Sequence, residues 1–127
     1  MLNNRGQSLV LFVILMPIFL GIMVLVIDMG NVINYKQDMD NISKLVIDYG
    51  LDNMDKVDVL NDMKELAKLN NENLSFEISF NDMEFYFNSS YYVNGIFSNI
   101  FKMKGFLVKS KYKGYKELDK KIIKKIN

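Results

Sequence analysis

Two pairs of carboxylates, Asp38/Asp40 and Asp48/Asp52, are the residues whose type and spacing come nearest to a reactive site. Paired carboxylates can bind a divalent cation or share the roles of general acid and general base. Both pairs fall in a segment with helical periodicity, where charged residues between apolar ones face water. The chain has no His and no Cys, which removes the usual nucleophile–base pairs and thiolate metal sites. We therefore predict solvated carboxylates, no enzymatic activity, no metal and no cofactor.

The element that would carry these carboxylates begins with nineteen residues without a charge, Leu9 to Ile27. Nineteen helical residues rise about 28 Å, close to the thickness of the hydrocarbon core of a bilayer. Water cannot satisfy backbone groups there, so the run is predicted to be a transmembrane helix, in which Pro17 and Gly21 are tolerated. The run is longer than the apolar core of a secretory signal peptide, and no Ala-x-Ala site follows it. We expect an anchor that is uncleaved or cleaved only at its tip.

Charges on either side of the run predict its orientation. Arg5 and the α-amino group precede it, and Asp28 is the first charge after it. The positive-inside rule then places the N-terminus in the cytoplasm and the rest of the chain outside the cell membrane. Asp28 would fix the point at which the helix leaves the membrane, and Gly30 would allow a bend or the close approach of a neighbouring backbone.

These boundaries divide the chain into a cytoplasmic tip (1–6), a transmembrane helix (7–28) and an extracytoplasmic α+β domain (29–127). The domain ends in a basic tail, because all ten lysines of residues 71–127 lie between Lys102 and Asn127. This tail is either solvated or in contact with an acidic partner, wall polymer or lipid surface. The net charge of +1 argues against a nucleic-acid partner.

An apolar stripe continues the helix beyond the membrane. Its members recur at helical spacings of three and four residues, with charged residues between them: Val32, Tyr35, Met39, Ile42, Val46 and Tyr49. One helix from about Ser8 to Tyr49 is predicted, with Gly50 as its C-terminal breaker. The stripe can pack against the chain's own domain or against neighbouring subunits, and the two are compatible.

The remaining chain predicts a helix followed by a small antiparallel sheet. The helix spans about Met54 to Leu69 and has an apolar face that includes Val57. Alternating apolar residues predict a strand over 74–80, a turn at Asn81-Asp82 and a returning strand over 83–87. Residues 106–113 predict a closing strand with one basic face, and residues 116–126 a short helix or a frayed tail. The predicted fold class is α+β, a long N-terminal helix packed on a sheet of three or four antiparallel strands.

The N-terminal residues resemble a known family. Arg5-Gly6-Gln7-Ser8-Leu9-Val10, then Pro17, then Ile27-Asp28-Met29-Gly30 are similar to the N-terminus of TadE/TadG-like proteins of the Tad (Flp) pilus system. The resemblance covers about 25 residues and is only architectural beyond Tyr49. It implies a pilin-like fold and processing by a prepilin peptidase between Gly6 and Gln7. Its implied partners are the membrane, other pilus or secretion subunits and further copies of the helix.

One position departs from the family pattern. The family's glutamate at the fifth mature residue is Leu11 here. An apolar residue is easier to place in a bilayer than a carboxylate without a partner, but it removes the usual contact between filament subunits. The leading hypothesis is therefore a minor pseudopilin or assembly factor of a Tad-type pilus or related secretion apparatus. The alternative is a membrane-tethered extracytoplasmic binding or adaptor domain unrelated to pili.

Overall fold

The computed structural model describes residues 4–126 as three helices and four strands. The elements follow one another as α1 (Asn4–Asp52), α2 (Val59–Asn70), β1 (Ser75–Asn81), β2 (Glu84–Val93), α3 (Ile96–Ile100), β3 (Phe106–Glu117) and β4 (Lys120–Lys125). A long N-terminal helix packed on a small antiparallel sheet confirms the predicted α+β class.

Helix α1 is continuous over 49 residues, which makes it about 73 Å long. No residue of its apolar window is buried, and the large apolar side chains from Leu9 to Ile27 are exposed except Val24, which is half-buried. Pro17 lies inside this half without ending the helix. Among the described residues, α1 is the one helix that is long and apolar enough to cross a membrane.

The four strands form one antiparallel sheet in the order β1-β2-β3-β4, so every connection joins neighbours. The β1–β2 turn lies at Asp82-Met83, one residue beyond the predicted Asn81-Asp82. Both turn residues have positive φ, 50° and 65°, as a two-residue hairpin with right-handed strand twist requires. Asn81 therefore stays in β1, paired with Glu84.

The hydrophobic core lies between the second half of α1 and one face of the sheet. Val46, Ile47 and Leu51 of α1 are fully buried with Phe85 and Phe87 of the central strand β2. Helix α2 closes one side of this core with its three buried residues, Val59, Met63 and Ala67.

Two predictions about α1 and α2 are wrong in detail. Gly50 does not end α1, which continues to Asp52; it is buried, and a Cβ there would lie 2.6 Å from the Met63 sulfur. Its role is thus the close packing of α2 on α1. Helix α2 begins at Val59, five residues after the predicted start, and Val57 is 98% exposed rather than part of its apolar face.

The prediction for the C-terminus is also wrong. Residues 116–126 form neither a helix nor a frayed tail, because β3 runs on to Glu117 and returns as β4 through a turn at Leu118-Asp119. Both turn residues again have positive φ. The lysine-rich end of the described chain is thereby fixed in the sheet. Asn127 and residues 1–3 of the predicted tip lie outside the described residues.

Candidate functional site

Asp28 joins the end of the apolar run to the far end of the sheet. Its carboxylate accepts hydrogen bonds from the backbone N–H groups of Ile96 (2.8 Å) and Phe97 (2.9 Å), which lie 68 and 69 residues away in sequence. These are the first two residues of α3 and have no partner within their own helix. Asp28 is only 1% exposed, and the two charge-assisted bonds offset the cost of burying its charge.

Local sequence explains why α3 takes its N-terminal cap from another element. The position before α3 is Gly95, which has no side chain to accept a hydrogen bond. A Cβ at Gly95 would lie 2.5–2.6 Å from the carboxyl atoms of Asp28, so only glycine leaves room for this carboxylate. The Ser98 hydroxyl donates to the Gly95 carbonyl (2.9 Å) and accepts from the Gly95 N–H (2.7 Å), which holds the turn in place.

Three of the four carboxylates singled out in the sequence contact the last strand, and the fourth, Asp38, is exposed. The prediction of a solvated side chain is wrong for Asp40, which is only 18% exposed. The Lys121 ammonium lies 2.8 Å from Asp48 and 3.0 Å from Asp52, and Lys125 lies 3.5 Å from Asp40. The Ser110 hydroxyl also donates to Asp40, at 2.7 Å. These contacts hold β3 and β4 against α1. Because the ion pairs of the two lysines are exposed to solvent, they orient β4 more than they stabilise the fold.

Two side chains in this region, Lys121 and Tyr112, have raised pKa values. The Lys121 ammonium donates hydrogen bonds to Asp48 and Asp52, and these bonds, the one to Asp48 first, raise its pKa above 10.5. Burial raises the pKa of the Tyr112 phenol above 10.0, and the negative charge of Asp40 adds to this effect. Both groups therefore keep their ordinary charge state at neutral pH, and neither has the perturbed reactivity expected of an acid–base catalyst.

The predicted packing stripe divides between core and surface. Met39, Ile42 and Val46 are buried, Val32 and Tyr49 are half-buried, and Tyr35 is more exposed and stacks on the ring of Tyr91 at 5.2 Å. The stripe thus packs against the chain's own sheet. The sequence analysis missed Ile47 and Leu51, which lie beside the predicted stripe on the buried side of α1.

The other predicted site residues lie along the uncovered surface of α1. Gly6 and Gln7 are already helical, Leu11 is 57% exposed, and a Cβ at Gly30 would have open space around it. The structure brings none of these together with Asp28. The sequence did offer one signal for the Asp28 contact: a short apolar segment after Asn94-Gly95 without a capping side chain of its own.

Within residues 4–126 no cluster of three or more Asp or Glu side chains is arranged to hold a metal ion. Comparison of the chain with protein-family models, with curated proteins and with solved structures finds no match. The site is therefore interpreted from its own geometry: an exposed apolar half-helix whose end is fastened to a folded domain.

Proposed function

We propose that this chain is a non-enzymatic, single-pass membrane protein with pilin-like architecture. It acts as a minor pseudopilin or assembly factor of a Tad-type pilus or related secretion apparatus. In this proposal residues 7–28 span the cell membrane, the N-terminus is cytoplasmic and the α+β domain is extracytoplasmic.

One observation carries the proposal: a single unbroken helix is apolar and exposed in its first half and forms the core of a sheet domain in its second. A helix of this kind can leave a bilayer and join a helical assembly without rearranging the domain. The domain's own sheet covers the second half, which leaves the first half as the surface for lateral association. The resemblance of Arg5-Gly6-Gln7 and Ile27-Asp28-Met29-Gly30 to TadE/TadG-like proteins supports the same assignment.

A membrane-tethered adaptor unrelated to pili is the second candidate, and Leu11 favours it. Leu11 replaces the glutamate that would contact a neighbouring subunit, and the Asp28 contact fastens the domain directly to the end of the anchor. Both features suit a static tether, which needs no processing of the N-terminus.

The intact mass of the membrane-purified protein, with and without the cognate prepilin peptidase, tests whether the chain is a processed pilin-like subunit. Processing after Gly6 removes residues 1–6 and leaves Gln7 as the N-terminus. Gly6→Leu abolishes this change, whereas Gly21→Leu, placed where a Cβ meets nothing, leaves it intact.

An unchanged mass with active peptidase would refute a processed subunit and leave a resident assembly factor or the adaptor. Piliation then distinguishes these two. Deletion of the gene abolishes pili if the chain is an assembly factor and leaves them intact if it is the adaptor.

A further inference from the structure

A group of apolar side chains lies exposed beside the junction of anchor and domain. We call it the apolar foot; it consists of Ile96, Ile100, Phe101, Met103 and Phe106. Three of its members, Phe101, Met103 and Phe106, meet around Phe97, since the Phe97 and Phe101 rings are 4.5 Å apart and Phe97, Met103 and Phe106 line one small recess of about 100 Å³. Phe101 and Met103 are each 60% exposed. A cluster of this size is unusual on a free surface and marks a contact with something apolar.

Asp28 sets the height of the apolar foot along α1. The carboxylate that caps α3 belongs to the residue immediately after the charge-free run that ends at Ile27. Hence the first residues of α3 lie at the same level as the end of the apolar half-helix. The Tyr35–Tyr91 contact lies about 10 Å higher along α1, so the foot is at the end of the domain nearest the anchor.

The surroundings of the foot match a bilayer interface. Met29 and Ile33 on the uncovered side of α1 are also exposed, which continues the apolar surface past Asp28. Lys102 and Lys104 alternate with the apolar side chains and can extend toward lipid phosphates while their stems stay in the apolar layer. Aromatic and aliphatic side chains beside lysines are typical of segments that lie in the headgroup region.

From this placement we infer that the apolar foot inserts into the headgroup–acyl boundary of the same leaflet from which α1 emerges. The domain then has two attachments to the bilayer, the helix and the foot, and Asp28 couples them. A second attachment restricts rotation and tilt of the domain about the helix. This inference rests on the proposed membrane span of residues 7–28.

Single-tryptophan fluorescence tests the inference, because the chain has no Trp of its own. The full chain is reconstituted into phosphatidylcholine vesicles that contain lipid brominated near the top of the acyl chain. Phe101→Trp reports on the foot and keeps an aromatic ring against Phe97. Ile100→Trp, at a side chain that is 65% exposed, repeats the measurement if the first variant misfolds. Leu11→Trp reports on the span, and Leu118→Trp, at a 93% exposed turn, reports on the far end of the domain.

We expect brominated lipid to quench the tryptophan emission of the foot and span variants and to leave that of Leu118→Trp unchanged. Adding Asp28→Ala should reduce the quenching of the tryptophan in the foot and leave the quenching of the tryptophan in the span unchanged. Quenching at the span alone overturns the inference and leaves the membrane span intact. Absence of quenching at the span overturns both. A blue-shifted emission at the foot without bromolipid quenching would show that protein, such as a second copy of the chain, covers it, and this also overturns the inference.

Discussion

Removing the Asp28 carboxylate should release α3 from the helix while the sheet stays folded. Asp28→Ala leaves the N–H groups of Ile96 and Phe97 without their acceptor. A hydrogen bond to a charged group contributes about 1.5–3 kcal/mol, and loss of an N-cap side chain costs about 0.5–2 kcal/mol. The two ranges overlap at about 1.5–2 kcal/mol, so we expect a cost of about 2 kcal/mol.

Amide hydrogen exchange measures this local change directly. A cost of about 2 kcal/mol corresponds to roughly thirtyfold faster exchange, since each 1.4 kcal/mol is tenfold. The most useful probe is the Met103 N–H, which donates to the Ser98 carbonyl at 2.8 Å and does not touch Asp28. Phe87 in the central strand should exchange as before, because its burial does not depend on α3.

Three further variants sharpen the test in detergent-solubilised full chain. Asp28→Asn keeps the shape and one acceptor oxygen, so the acceleration should be about tenfold. Gly95→Ala should disrupt the same contact by displacing the Asp28 carboxylate, because its Cβ would lie 2.5–2.6 Å from the Asp28 carboxyl atoms. Asp38→Ala removes an exposed carboxylate from the same helix and is the matched control. If Met103 exchanges equally fast in Asp28→Ala and Asp38→Ala, the carboxylate does not hold α3 and the reasoning fails.

Three other measurements follow from the structure. Gly114→Ala places a Cβ against the Ile47 side chain and should lower the free energy of unfolding by about 1–3 kcal/mol. Gly30→Ala, where a Cβ meets open space, should raise the free energy of unfolding by up to about 1 kcal/mol. Thermal melts of both variants in detergent check these two expectations. Burial raises the pKa of Tyr112 above 10.0, so the stability this phenol contributes is present below pH 10.0 and is lost as pH rises through its folded pKa; the tyrosinate absorbance change above pH 10.0 should become smaller in Tyr112→Phe. Leu118→Cys, a single thiol in a chain without Cys, should react with a membrane-impermeant maleimide in intact cells, and labelling only after lysis would contradict the proposed orientation.

The carboxylates of α1 show how one helix serves two purposes. Between Arg5 and Asp28 its surface has no charge, and beyond Asp28 three of its carboxylates, Asp40, Asp48 and Asp52, contact lysines of β4. A strand that carries four lysines in six residues would be a poor edge for association with another chain, which protects the open side of the sheet. The basic C-terminus is thus partly neutralised within the domain.

Several elements could be predicted from sequence because their signal is local. The charge-free run Leu9–Ile27 and the stripe through Met39 and Val46 specify one long helix, and period-two alternation specifies β1 and β3. Each pattern depends on neighbouring residues whose side chains must all reach one face. The α+β class follows from these periods alone.

The tertiary structure decided which distant residues meet. Residues 116–126 contain many lysines and little alternation, and they become a strand only because β3 offers its edge and the carboxylates Asp40, Asp48 and Asp52 lie opposite. Asp28 could equally have remained a solvated charge at the end of the apolar run. It is buried because the sheet brings the start of α3, which lies 68 residues later in the sequence, next to it. The first two N–H groups of α3 then donate to Asp28, and no local pattern in either segment encodes this contact.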